Sequence, residues 1–182
     1  MFLSDQRRDY DEAERFYKRA VEADPNDAHW LSSFAIFLQA QRRNYDEAEQ
    51  FYRRAIALSP DDANSLGNLA QMLLAQGRKE EGREMIAASF GALDGDSSPG
   101  LLAELWFYRY AHFWIEELAA LSELKRILLA GARSPGMNLQ PNIERAEADG
   151  HPNVASLKTL ARVINEEAEI EELETDDDWR AA

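Results

Sequence analysis

Residues 6–28 read QRRDYDEAERFYKRAVEADPNDA and residues 41–63 read QRRNYDEAEQFYRRAIALSPDDA, identical at 15 of 23 positions with an offset of 35. A chain of 182 residues that duplicates a unit this long is constrained first by that period, because each copy must bury its apolar side against a neighbour. A third, weaker copy follows, in which Gln76 to Gly82 stands where Gln41 to Ala48 stood, one residue shorter. Between the copies run two related segments. Leu31, Phe34, Ala35 and Leu38 of the first match Leu66, Leu69, Ala70 and Leu73 of the second, a spacing that places them on one face of a helix.

Each recurring residue type has a steric reason. Ala35, Ala48 and Ala55 let two helices approach closely, and Tyr17 and Tyr52 fill the space beside them. Pro25 and Pro60 end one helix, and the Asn26-Asp27 and Asp61-Asp62 pairs after them offer caps to the next. Asp11-Glu12 and Asp46-Glu47 put negative charge at helix starts, where the macrodipole favours it.

The pattern Leu31-x2-Phe34-Ala35-x2-Leu38, Ala48-x3-Tyr52-x2-Ala55, Pro60 resembles the tetratricopeptide repeat, a pair of antiparallel helices per roughly 34 residues. Half of it occurs earlier as Ala13-x3-Tyr17-x2-Ala20 with Pro25, and it recurs as Leu66-x2-Leu69-Ala70-x2-Leu73 with Gly82-x3-Ile86. The resemblance covers residues 6–90 and implies an all-α, right-handed solenoid of antiparallel helix pairs. The sequence departs from the family pattern in three ways. Leu31 and Leu66 replace the usual Trp, with Trp30 one position early. The third copy has Gly82 for Ala and no closing Pro, so the regular array is expected to end near Phe90. The first unit lacks its opening helix, since Phe2-Leu3 matches Phe37-Leu38. That leaves Phe16, Tyr17 and Ala20 under-covered, and solenoids normally cap such an end. Either the chain is a piece of a longer protein or another molecule covers that face, a second copy of the chain included.

The expected organisation is repeats over 1–90, a loop over 91–100, divergent helical hairpins over 101–167 that extend or cap the solenoid, and an acidic tail over 168–182. Leu101 to Ile115 is a dense aromatic helix, too short and too charged (Glu104, Arg109) to span a membrane. Further helices are expected over 119–132, 142–148 and 153–167, the last through Val154, Leu157, Leu160, Ala161 and Ile164. From Glu166 to Asp178 nine of thirteen residues are acidic. Such a run reads as a frayed, solvated tail, or as an acidic peptide for a basic partner anchored by Ile170, Leu173 and Trp179.

Composition bounds the function. With 20 Lys+Arg against 34 Asp+Glu the net charge is −14, which argues against nucleic acid or an anionic membrane as the main ligand. Hydrophobic residues at 45% argue against global disorder, and the absence of cysteine excludes disulfides, thiolate metal sites and cysteine nucleophiles. Charges at Asp5, Arg7 and Arg8 stand where a signal peptide needs its apolar core, so a cytoplasmic protein is expected. His29, His112 and His151 are far apart and form no metal-spaced pair, and no phosphate-binding or nucleophile motif occurs. No catalytic, cofactor or metal residues are assigned, and the chain reads as non-enzymatic.

What the resemblance implies instead is a concave groove lined by the first helix of each pair. Residues offset from the core face point into it: His29, Ser32, Ser33, Ile36 and Gln39 from one helix, and Asn64, Gly67, Asn68, Gln71 and Leu74 from the next. This surface is polar, uncharged and suited to a peptide or a partner helix, because Asn and Gln pair with a peptide backbone as donor and acceptor together. Some family members clamp a chaperone's terminal carboxylate with Lys, Asn and Arg. Here Ser32, Ile36 and Asn64 occupy such positions and only Asn68 is compatible, which argues against that ligand. The expected function is a protein-interaction scaffold. The alternatives are self-association through Phe16, Tyr17 and Ala20, or an accessory segment of a larger enzyme.

Overall fold

A computed structural model describes residues 2–95, 97–117 and 119–182, with side chains from Asp9 onward, so the Phe2-Leu3 match lies outside the described side chains. Among the described residues the secondary structure is entirely helical. In chain order the elements are α1 (Phe2–Ala23), α2 (Ala28–Phe37) continued by a π turn (Leu38–Arg42), α3 (Tyr45–Leu58), α4 (Ala63–Ala75) and α5 (Lys79–Ala92). After them come α6 (Pro99–Phe113), α7 (Ala120–Leu129), α8 (Gln140–Ala148), α9 (Val154–Ile164), a 3-10 turn (Ile170–Thr175) and α10 (Asp177–Ala181).

The helix boundaries follow the local chemistry. Asp27 accepts from the Trp30 N–H at 3.1 Å and Asp62 from the Asn64 N–H at 3.1 Å, so the residues after Pro25 and Pro60 do cap α2 and α4. At the start of α3, Asn44 accepts from the Glu47 N–H at 3.4 Å while its amide donates to the Glu47 carboxylate at 2.7 Å. Leu38 and Ala48 are ten residues apart where Leu73 and Gly82 are nine. The π turn at Leu38–Arg42 absorbs that extra residue: the Asn44 N–H reaches back to the Leu38 carbonyl at 3.0 Å, and Arg43 takes a left-handed φ of 52°. The same Gln-Arg-Arg sequence at residues 6–8 lies inside the continuous helix α1. Tertiary context decides between turn and helix here.

Small residues set the approach of the helices. Ala35 and Ala48 are 0% exposed and Tyr52 and Ala55 1%, where α3 folds back on α2. In the next pair the departure to Gly82 is steric, since a Cβ there would stand 2.6 Å from Leu74 Cγ. Ion pairs repeat with the period: Arg42 Nε lies 2.7 Å from the Glu14 carboxylate across α1 and the π turn, and Arg78 lies 2.5 Å from the Glu49 carboxylate one unit later. Half-exposed pairs of this kind contribute at most about 1 kcal/mol each and serve mainly to fix register.

Beyond α5 the stacking changes. As its apolar sequence predicts, α6 is buried on more than one side, with Ala103, Leu105, Phe107, Tyr108 and Ala111 all at 0% exposure. It pairs with α7, and α8 pairs with α9. In a purely one-dimensional stack each hairpin would touch only its sequence neighbours. Here α8 also packs on α4. The accessible surface of 10025 Å² is modestly above the roughly 8,900 Å² of a compact monomer of this mass.

The acidic tail is not frayed. Leu173 and Trp179 are 0% exposed and join the core formed by α6, α7 and α9. Lys125 on α7 donates to the Trp179 carbonyl at 2.7 Å, and the Asn153 amide donates to Asp176 and Asp178 at 2.9 Å each. The anchors expected to engage a partner therefore engage this chain, because the apolar spacing within the acidic run is that of a buried edge.

The duplicated sequence supplies a controlled comparison. Ala55→Leu, at a closed contact, should destabilise by about 1–3 kcal/mol, whereas Ala20→Leu, its counterpart on the half-buried face of α1, should change stability by less than about 0.5 kcal/mol. Urea unfolding of both variants measures the difference.

Candidate interaction surface

The structure divides the predicted groove residues of α2 and α4 into two groups. His29, Ile36 and Asn64 are exposed, and Ser33 and Asn68 are half-buried on the same side. Ile36 is 44% exposed. These five are the accessible members of the set.

The remaining candidates are structural. Ser32, 8% exposed, pairs with the buried Ser65 hydroxyl at 2.8 Å, and Ser65 also hydrogen-bonds the capping Asp62. Tyr52 donates from its hydroxyl to Gln39 Oε1 at 3.0 Å, Gln39 donates to Gln71 Oε1 at 2.6 Å, and Gln71 donates to the Asn138 carbonyl at 2.8 Å. Both ends of each glutamine amide are thus engaged within the fold. Leu74 is 0% exposed beneath α5, and Gly67 lies under α6, where a Cβ would meet Leu101 Cδ1 at 2.9 Å.

Gln71 and Leu74 are thus engaged within the fold, Gln71 by the turn before α8. Asn142 completes the contact by donating to the Gln71 carbonyl at 3.2 Å, with its amide 3.1 Å from His112 Nε2. These partners are 67 and 71 residues from Gln71, and no local pattern announces them.

The N-terminal flank of the surface is aromatic. Tyr17 is half-buried and turned onto α2, stacked on Phe34 at 5.7 Å between centroids with an interplanar angle of 14°. Phe16 remains 57% exposed with its ring 5.6 Å from Trp30. Ala20 is half-buried on the same helix. Of the three predicted self-association residues, Phe16 is the one that stands clear of the fold.

Glu104 and His112 are the buried acid and the buried base of α6. Burial pushes the Glu104 carboxyl up to about 7, although hydrogen bonds from Ser134 and Tyr108 favour its charged form. Burial pushes His112 down to about 3, so near neutrality its imidazole is neutral and accepts from the Asn142 amide at Nε2. His151, expected as a turn residue, sits in the turn before α9 but is only 5% exposed, its ring against Tyr110 and Trp114. Two open cavities, of about 390 and 70 Å³, are lined by residues other than Glu104 and the histidines. Among the described residues no group of three or more His, Asp or Glu side chains is placed to hold a metal, and no helix is long and apolar enough to cross a membrane.

Gln71→Ala should cost about 1–3 kcal/mol by stranding the partners on either side, while Asn64→Ala at an exposed position should stay within about 0.5 kcal/mol in the same urea titration. The two α6 groups give opposite pH slopes. Glu104 holds its proton more tightly when folded, so its contribution is full below its ordinary 4.5 and is lost as pH rises through about 7. His112 contributes fully above 6.5 and loses its contribution as pH falls towards 3. Glu104→Gln should therefore stabilise the protein by about 1–3 kcal/mol at pH 8 and leave it nearly unchanged at pH 4.5, measured by denaturant midpoints at the two pH values.

Comparison with known proteins bears on the repeats alone. Neither a curated protein nor a solved structure matches the chain. Family models described as tetratricopeptide repeat match residues 3–27 and residues 39–99. These stretches contain α1 and the run from the π turn to the start of α6, the elements that the duplicated sequence builds. These two stretches carry tetratricopeptide repeats.

Proposed function

We propose that this protein is a non-enzymatic adaptor that holds a peptide or partner helix on the shortened concave strip of His29, Ser33, Ile36, Asn64 and Asn68. Repeats of this family generally mediate protein–protein contact. The observation that carries the reading is the division of the predicted groove residues. Gln71 already receives a backbone carbonyl from this chain, that of Asn138, while Asn64 and Asn68 keep the same amide chemistry accessible and Ile36 is 44% exposed. Burial of Ile36 by a ligand would stabilise the complex by about 1–2 kcal/mol, and the side-chain amides would orient the ligand backbone. A net charge of −14 supports a protein ligand over nucleic acid or an anionic membrane.

Ile36→Glu combined with Asn68→Ala tests the strip. The bound proteins recovered by affinity capture with the parent chain should be lost with this double variant, while its thermal midpoint stays within about 2 °C. Recovery of the same proteins by both forms would remove the strip as the binding site.

A further inference from the structure

The duplicated sequence places the same helix in two environments, and the difference between them describes what is missing from one. In α3, Ala48, Tyr52 and Ala55 are 0–1% exposed, the helix lying between α2 before it and α4 after it. Their counterparts in α1 are Ala13, Tyr17 and Ala20, all half-buried, since α1 packs on the following helix α2 and has no preceding helix against it among the described residues. The contacts of α3 show what a covering helix must provide. Phe34 packs on Phe51 with centroids 4.8 Å apart, Gln39 accepts from the Tyr52 hydroxyl at 3.0 Å, and the Pro25 carbonyl, just before α2, accepts from Arg54 at 3.1 Å. Phe16, Tyr17 and Arg19 repeat Phe51, Tyr52 and Arg54 in register. Phe16 is 57% exposed and Arg19 is exposed.

We infer that the outer face of α1 is a second interaction surface whose occupant is an amphipathic helix of the α2 type. That helix carries Leu-x2-Phe-Ala-x2-Leu-Gln, with the small residue at the crossing point, an aromatic ring for Phe16 and a side-chain amide for Tyr17. The surface continues the α2–α3 contact by one repeat period, and that contact is its template within the same molecule. Ala13 and Ala20 are the determinants, because only small residues there let a second helix come as close as α2 comes to Ala48 and Ala55. This surface is separate from the concave strip and does not depend on it.

The probe is a fluorophore-labelled peptide of this chain's own residues 28–42, AHWLSSFAIFLQAQR, titrated against the whole protein by anisotropy. Saturable binding is expected, weakened by about tenfold or more with Ala20→Glu, and likewise with Ala13→Glu should the first variant unfold. Ile36→Glu in the protein should leave this affinity within about twofold, which separates the α1 face from the concave strip. A peptide with Ala35→Glu should not bind. Absence of saturation up to about 1 mM peptide would overturn the inference, as would equal binding to the folded Ala20→Glu protein. So would sedimentation of the parent chain alone as a dimer that Ala20→Glu dissociates, since a second copy would then be the occupant.

Discussion

The closeness of paired helices at small residues is the contact on which the rest of the molecule depends. Ala35, Ala48, Ala55 and Gly82 bring α2 to α3 and α4 to α5 with no more than a methyl group on their own side, Leu74 filling the space over Gly82, and this fixes where other side chains can reach. Tyr52 then lies deep enough for its hydroxyl to meet Gln39, and Gln39 in turn meets Gln71. A polar ladder thus crosses from one repeat to the next inside an otherwise apolar stack. Were the pairs farther apart, those amides would be solvated and free to serve a ligand.

The same ladder explains how the second half of the chain is held. Gln71 donates to the Asn138 carbonyl, and Asn142 donates back to the Gln71 carbonyl, so the turn before α8 is tied to α4 through main-chain groups on both sides. A buried amide commits strongly to such partners, because leaving one unpaired costs more than the bond contributes when made. His112 supports the arrangement only as a neutral acceptor, which links the chemistry of α6 to the seating of α8. The hairpins after α5 therefore close over the repeats where a regular stack would have continued beside them.

What the sequence made legible follows from the range of each interaction. Caps, the small-residue register and the apolar faces of α2 to α5 are encoded within a few residues of where they act, so Asp27, Asp62, Ala48 and Tyr52 could be placed from spacing alone. The extra residue between Leu38 and Ala48 was visible as a count, and its outcome as a π turn was not, since a looser turn would also absorb one residue. Gln71 and Leu74 occupy groove positions by periodicity, yet what covers them comes from elements far along the chain or from α5 folding back. Trp179 was read through its acidic neighbours, whose charge describes the solvent side of the segment. Its buried edge, Leu173 and Trp179, was outnumbered in composition while deciding the packing.

The two copies of the helix show what sequence identity does and does not determine. Ala13-x3-Tyr17-x2-Ala20 and Ala48-x3-Tyr52-x2-Ala55 have the same intrinsic propensities and both are helical, so the backbone state is local. Gln-Arg-Arg, by contrast, is helix in one copy and turn in the other. The turn at 41–43 forms because α2 and α3 gain a buried contact by folding back, enough to offset a left-handed Arg43 and the broken hydrogen-bond ladder. At residues 6–8 the helix simply continues. The turn is thus a consequence of the helix that covers Tyr52, and its absence in α1 goes together with the half-buried state of Ala13 and Ala20.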